Sequence, residues 1–204
     1  MTRIVKRLID AFLSATALVL LSPVMLGLSL LIWLFMQRPI LFKQRRGGYR
    51  GRPFTLFKFR TMDDARDGQN QFPADKDRLT KVGTVLRRLS LDELPQFWNV
   101  LIGDMSLVGP RPLLVEYLPR YTSEQARRHE VKPGITGWAQ VNGRNGLDWE
   151  QRFRLDVWYV DHWTLGLDVK IIWKTMQNLF KQEGVSQRGH PTMPEFTGNN
   201  QLGL

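Results

Sequence analysis

An apolar run near the start of the chain limits its fold more than any other feature. Between Ala11 and Met36 no side chain carries charge, and the only polar ones are Ser14, Thr16, Ser22 and Ser29. Arg3, Lys6 and Arg7 precede the run, while Arg38, Lys43, Arg45 and Arg46 follow it. Basic residues mark the cytoplasmic flank of a membrane segment, and here they stand on both flanks. A straight helix of about 26 residues reaches roughly 39 Å, more than the ~30 Å hydrocarbon core requires. Ser22-Pro23 lies at the middle, where proline removes a backbone donor and clashes with the preceding turn. Length, charge and proline are satisfied together if residues 1–36 enter the cytoplasmic leaflet, turn at Ser22-Pro23 and return as a re-entrant helical hairpin. A kinked spanning helix competes with this reading, because neighbouring helices can satisfy the freed carbonyl. A cleaved signal peptide is disfavoured, since Met36-Gln37-Arg38-Pro39 offers no small-residue cleavage site.

The remaining residues, 37–204, have the length of a single catalytic domain. A mean hydropathy of −0.27 over the whole chain means that they are largely polar. The chain has no cysteine, which excludes disulfide scaffolds and thiolate chemistry. Its net charge is +10, from 29 basic against 19 acidic residues. Such an excess points to nucleic acid, anionic lipid or a phosphate-bearing substrate. The basic residues are dispersed along the chain, which argues against a nucleic-acid tail and for anionic membrane lipids and phosphate.

Two short extended stretches, around Ile40–Lys43 and Phe54–Phe59, are separated by Gly47-Gly48 and by Gly51 with Pro53. The glycines read as a hairpin loop; a phosphate cradle is the alternative, although the spacing matches neither a P-loop nor a dinucleotide fingerprint. Asp63 to Asp77 reads as a surface loop, in which Asp63-Asp64 is more plausibly solvated than metal-binding. Leu79–Leu89, Glu93–Ile102 and Glu116–Glu130 read as helices, and Gly137–Gly146 as a loop. In the last third, Ile172, Met176, Leu179 and Phe180 share one helical face. That stripe fits a buried core or an amphipathic helix in the membrane interface equally well. The chain is therefore expected to be mixed α/β: one catalytic domain on a membrane hairpin, with interfacial amphipathic helices.

The chemistry concentrates at Asp92-Glu93, within Arg87-Arg88-Leu89-Ser90-Leu91-Asp92-Glu93-Leu94-Pro95. Ser90 and Glu93 also have capping-box spacing, which would give them a purely structural role. With Ser90 as cap, however, Pro95 falls beyond the first turn, where its missing donor is costly; with Asp92 as cap it falls within the first turn. Either way the two carboxylates sit at the positive end of a helix behind two arginines, an environment that favours ionisation. An ionised Asp92 can serve as nucleophile or metal ligand. Arg111, stiffened between Pro110 and Pro112, suits a phosphate grip. Lys58 and Arg60 add two cations on one face if Phe57–Thr61 is extended. An anion site with an acidic centre is reconciled by a divalent cation such as Mg²⁺, as phosphoryl transfer requires.

Four motifs occur in order: Phe57-Lys58-Phe59-Arg60-Thr61-Met62, Ser90-Leu91-Asp92-Glu93-Leu94-Pro95-Gln96, Gly103-Asp104-Met105-Ser106-Leu107-Val108-Gly109-Pro110-Arg111-Pro112, and Pro133-Gly134-Ile135-Thr136-Gly137-Trp138-Ala139-Gln140-Val141-Asn142-Gly143-Arg144. With them the chain resembles the small monotopic phosphoglycosyl transferases, a family of bacterial sugar transferases. The stretch from Gly184 through Gly189-His190 to Phe196-Thr197-Gly198 is similar to the subgroup that transfers bacillosamine phosphate. The resemblance implies transfer of a sugar phosphate from a UDP-sugar, here UDP-N,N'-diacetylbacillosamine, to undecaprenyl phosphate with release of UMP. It implies Asp92 as the covalent nucleophile with Mg²⁺ bound nearby, Glu93 as the residue assisting the second half-reaction, and Arg87 and Arg111 as phosphate holders. Arg144 falls on the nucleotide or sugar side. A base is not strictly required, because a phosphate monoester with a second pKa near 6 is already largely dianionic at pH 7. The resemblance also places the protein at the bacterial inner membrane, monotopic, with its catalytic domain facing the cytoplasm. Two rivals belong to other classes: a non-catalytic anchored module binding anionic lipid or nucleic acid, and a glycosyl transferase releasing UDP.

Overall fold

The computed structural model describes residues 2–36, 38–62, 78–143, 146–181 and 195–198. The apolar run is divided between two helices, α1 (Thr2–Leu20) and α2 (Ser22–Met36), which meet at a 60° bend. Pro23 has no N–H to give to Val19, one turn earlier, and the Ser22 hydroxyl donates to that carbonyl instead at 2.7 Å. The helical ladder continues on both sides, from Leu21 N to Ala17 O and from Met25 N to Leu21 O. Ser22-Pro23 therefore bends the chain without leaving the Val19 carbonyl unpaired. Among the described residues no single helix is long and apolar enough to cross a membrane; only the bent pair together has that length and composition. Its two arms form an open V rather than an antiparallel hairpin.

The first half of α1 is fastened to the catalytic body. Lys6 Nζ lies 2.7 Å from Asp168 Oδ2. Arg7 donates to the carbonyls of Val100 and Leu101, each at 2.6 Å, and so caps the negative end of another helix. Asp10 is buried and accepts from Ser106 Oγ at 2.7 Å. The end of α2 is also anchored, since Ile32 and Met36 pack with Phe59 and Leu86.

The two extended stretches form an antiparallel hairpin, β1 (Leu41–Gly47) and β2 (Pro53–Phe59), in register Lys43↔Phe57 and Leu41↔Phe59. Its loop folds on itself, with Gly48 N donating to Arg52 O and Gly51 N to Gly48 O. Buried Asn99 mimics a strand at the edge of β2: its side chain accepts from Phe57 N at 3.1 Å and donates to Thr55 O at 2.7 Å. Helix α3 (Lys81–Arg88) follows, then a 3-10 turn (Leu91–Glu93) and α4 (Gln96–Ile102). β3 (Ser106–Val108) pairs in parallel with β4 (Gly134–Thr136).

The stretch expected to be one helix over Glu116–Glu130 is broken into a 3-10 turn (Val115–Arg120), α5 (Ser123–Ala126) and a second 3-10 turn (Arg127–Glu130). Pro119 lacks a donor, and Thr122 with Gln125 forms a capping box that starts a new helix. One helical turn, α6 (Trp138–Val141), stands within the expected loop. Helices α7 (Trp149–Asp161) and α8 (Leu165–Lys181) close the fold. On α8, Leu167 and Ile171 are buried beside Val108 and Tyr159. Val169, Ile172, Trp173, Met176 and Leu179 are exposed. Of the expected stripe, Ile172, Met176 and Leu179 are thus exposed and not core, and the Phe180 side chain lies outside the described residues. Asp63 and Asp64, the loop to Asp77 and most of the Gly184–Gly198 stretch lie outside the described residues.

Candidate active site

Three elements converge on the two carboxylates. Lys58 comes from β2, whose edge Asn99 holds in place. Helix α3 approaches so closely that a Cβ on Gly83 would stand 1.9 Å from Thr61 O, and Arg87 in its last turn donates from Nε to Thr61 Oγ1 at 3.0 Å. Ser90 then adopts a left-handed conformation, φ 55°, which turns the chain into the Leu91–Glu93 turn. This conformation is costly for a residue other than glycine, asparagine or aspartate. Ser90 makes no side-chain cap bond, so the capping box suggested by the spacing does not form. Glu93 is engaged elsewhere.

Glu93 Oε1 lies 2.7 Å from Lys58 Nζ and 2.6 Å from Arg111 Nη2. Burial would push its carboxyl up, but Arg111 and Lys58 outweigh that and hold it far below the usual carboxylate range. Asp92 differs. It is 7% exposed, with Lys58 Nζ 3.9 Å from Oδ2, and among the described residues no group donates a hydrogen bond to it. Burial raises its pKa, Lys58 partly opposes this, and the Glu93 charge adds to the rise. The expectation that both carboxylates are strongly held as anions therefore applies to Glu93 alone. Asp92 is a desolvated carboxylate whose charge is less fully compensated than that of Glu93.

The described residues contain no cluster of three His, Cys, Asp or Glu able to cage a metal. Asp92, with neither oxygen taken by a donor, and the second oxygen of Glu93 offer a sparse all-oxygen set. That set fits a Mg²⁺ ion held mainly by substrate phosphates and water, not a closed protein site.

The structure brings together Lys58, Asp92, Glu93 and Arg111, with Arg87 close enough to bias Asp92 electrostatically. It does not bring Arg60. Strand β2 ends at Phe59, and Arg60, 7% exposed, donates to the carbonyls of Met36, Arg38 and Met62. Arg60 ties down the end of α2. Arg144 lies outside the described residues. Sequence reasoning missed Asn99, which fixes the strand bearing Lys58, and the buried pair Arg128–Asp156 behind Arg111. Neither carries a local motif, although an asparagine inside an apolar helix, Phe97-Trp98-Asn99-Val100-Leu101, signals a buried amide in need of partners.

Residues 1–182 match the bacterial sugar transferase family. The chain is 53% identical over 199 residues to the uncharacterized sugar transferase EpsL of Bacillus subtilis, covering 98% of each. It is 42% identical over 184 residues to the UDP-glucose:undecaprenyl-phosphate glucose-1-phosphate transferase of Caulobacter vibrioides, covering 85% of this chain and 69% of that one. A third relative, the UDP-N-acetylgalactosamine-undecaprenyl-phosphate N-acetylgalactosaminephosphotransferase of Aeromonas hydrophila, is 40% identical over 183 residues, covering 86% of this chain but 43% of that one. The chain belongs to the bacterial sugar transferase family, and its enzyme class is that of a phosphoglycosyl transferase.

Proposed function

We propose that the protein transfers a sugar phosphate from a UDP-sugar to undecaprenyl phosphate in two displacements at phosphorus. An Asp92 carboxylate oxygen attacks the β-phosphorus, the bond to the bridging oxygen breaks, and UMP leaves with the electron pair. An acyl phosphate joins Asp92 to the phosphosugar. A phosphate oxygen of the lipid then attacks the same phosphorus, and the Asp92 carboxylate leaves. The observation that carries this reading is the asymmetry of the dyad: Glu93 is hydrogen-bonded to two cations, at 2.7 and 2.6 Å, whereas Asp92 faces only the shared Lys58, at 3.9 Å. Lys58 and Arg111 can exchange Glu93 for diphosphate oxygens, and Arg87 adds positive potential beside Asp92. Glu93 keeps these cations aligned between turnovers, a role that needs no proton transfer. Asp92 and the second oxygen of Glu93 would hold a Mg²⁺ ion, which would supply charge neutralisation for the phosphate groups.

The second substrate is a lipid, and the apolar surface suits that. Ile4, Leu8 and Phe12 on α1, Leu26 and Phe35 on α2, Trp98 on α4, and Val169 and Trp173 on α8 are all at least half exposed. Seated on the cytoplasmic face of the inner membrane, with α1–α2 dipping into one leaflet, these faces would leave water, and the acceptor phosphate would lie at headgroup height. Single cysteines at Thr2 and Gln44 are then both labelled from the cytoplasmic side; labelling from opposite sides would mean a spanning segment.

For the donor we favour UDP-N,N'-diacetylbacillosamine, on the Gly184–Gly198 stretch. Of that stretch, Phe196 is seen packed among Tyr117, Tyr121, Trp149 and Phe153. A panel of this donor, UDP-glucose and UDP-N-acetylgalactosamine, assayed with undecaprenyl phosphate, tests both parts of the proposal. UMP release is the predicted outcome. UDP release would mean transfer of the sugar alone, and no release from any donor would leave only a binding module.

A further inference from the structure

Arg111 sits in a strap, Gly109-Pro110-Arg111-Pro112, whose two prolines have no N–H to anchor it. The strap is held mainly through its carbonyls. Gly134 N donates to Pro110 O at 3.0 Å, and Gly109 N donates to Thr136 O at 2.9 Å. The strap runs so close to β4 that a Cβ on Gly134 would stand 2.1 Å from Gly109 N. At Arg111 itself the handle is a side chain: Arg128 Nη2 donates to the Arg111 carbonyl at 2.8 Å.

That guanidinium is immobilised on every side. Arg128 Nε and Nη2 both donate to Asp156 Oδ2, at 3.1 and 2.7 Å. Tyr121 and Phe153 stack near it, with ring centroids 6.0 and 5.7 Å from Cζ. The side chains of Arg128 and Asp156 are 1% and 2% exposed. Buried ion pairs are often no more stabilising than apolar pairs of similar volume, so burial of the pair is not by itself an argument from stability. What an apolar pair lacks is a donor for the Arg111 carbonyl.

We propose that Arg128, oriented by Asp156, is a positioning residue that fixes the Arg111 backbone and so the reach of its guanidinium to Glu93 and to substrate phosphate. The proposal rests on the reading of Arg111 as a phosphate-binding residue given above. A double-mutant cycle on the full-length chain, followed by UMP release from the UDP-sugar, tests it. Arg128→Lys keeps the charge beside Asp156, but a single ammonium cannot reproduce the fork that spans Asp156 and the Arg111 carbonyl. It is expected to lower kcat/KM by roughly 10-fold in the wild-type background and by less than about 2-fold in an Arg111→Ala background, where there is no guanidinium left to position. If Arg128→Lys does not fold, Asp156→Glu, which shifts the fork while keeping the charge, goes through the same cycle with the same expectation. Equal fold-losses in both backgrounds would make the pair merely structural and overturn the proposal. An Arg111→Ala variant with full activity would instead overturn the reading of Arg111, and the proposal with it.

Discussion

Two buried carboxylates, Asp92 and Asp156, face cations in opposite ways. Asp156 receives two guanidinium N–H bonds on one oxygen and is sealed from water. Asp92 has Lys58 at 3.9 Å and no donor in contact among the described residues. Burial pushes both carboxyls up; at Asp156 the charge and direct hydrogen bonds of Arg128 oppose the rise without cancelling it, and at Asp92 Lys58 opposes it by charge alone. The same residue type is thus held by direct hydrogen bonds in one place and left without a contact donor among the described residues in the other. On the function proposed above, the contrast separates a residue that holds the fold from the proposed nucleophile: a satisfied pair holds geometry, whereas a nucleophile must keep its lone pairs available.

The largest expected effect tests that contrast at both ends. Asp92→Asn should cost at least ~10³-fold in kcat, because the amide oxygen cannot displace UMP. Its melting temperature should match or exceed the wild type's, since a poorly compensated buried charge is removed. Asp156→Asn should do the reverse to stability. Breaking a buried pair costs about 3–5 kcal/mol, on the order of 10 °C for a chain of this size. Thermal melts alongside UMP assays check both; a destabilised Asp92→Asn together with an unaffected Asp156→Asn would erase the distinction.

Next comes Arg111, which links the two regions. Arg111→Lys should lose about 10²-fold in kcat/KM, since a point charge replaces the planar fork beside Glu93. Arg50→Lys, on the turn of the β1–β2 hairpin, should change kcat/KM by less than about 2-fold. Equal losses would mean that general positive charge is what counts.

The smallest effect is a pH dependence behind the strap. His129 is buried, its Nδ1 is 2.9 Å from Gly48 O and its Nε2 has no partner among the described residues. Burial, and then the neighbouring Arg128 charge, lower its pKa from 6.5 to about 4. The unfolded chain thus binds a proton more readily than the folded one between these values. The contribution to stability is complete above pH 6.5 and is lost as pH falls toward 4, by at most about 1.4 kcal/mol per pH unit. Glu93, whose folded pKa is depressed, loses its contribution only as pH falls below the ordinary glutamate value of 4.5. The raised carboxyls Asp92 and Asp156 act in the opposite sense, so the histidine shows in the difference: from pH 7 to 5 the melting temperature of the wild type should fall relative to that of His129→Gln, and identical slopes would exclude the histidine.

The parts of the site that could be read from sequence were those encoded contiguously. Asp92-Glu93 and Pro110-Arg111-Pro112, whose side chains meet at Glu93, are each encoded within a few residues, and the hairpin that bears Lys58 follows from its alternation and glycines. Arg60 lies one residue beyond the end of β2, where the alternation of faces that would pair it with Lys58 no longer applies, and it bonds the carbonyls of Met36, Arg38 and Met62 instead of joining Lys58 at Glu93. Arg128 stands in Arg127-Arg128-His129-Glu130, a run that reads as a solvated charged surface. Only folding brings it to Asp156, 28 residues away. At the N-terminus, the bend at Ser22-Pro23 was legible, whereas the attachment of α1 through Lys6, Arg7 and Asp10 depends on contacts at least 93 residues distant. The stripe on α8 has the same periodicity whether it faces a core or a bilayer, and its exposure shows only in the folded chain.

On the proposed mechanism Asp92 becomes covalently bonded to the phosphosugar. The protein should be incubated with UDP-sugar and Mg²⁺ in the absence of lipid acceptor, then analysed by intact mass and peptide mapping. The account predicts roughly one equivalent of UMP, a phosphosugar adduct that maps to Asp92, and loss of that adduct when undecaprenyl phosphate is added. UMP release that strictly requires the lipid, with no adduct at any time, would contradict it and point to direct displacement in a ternary complex.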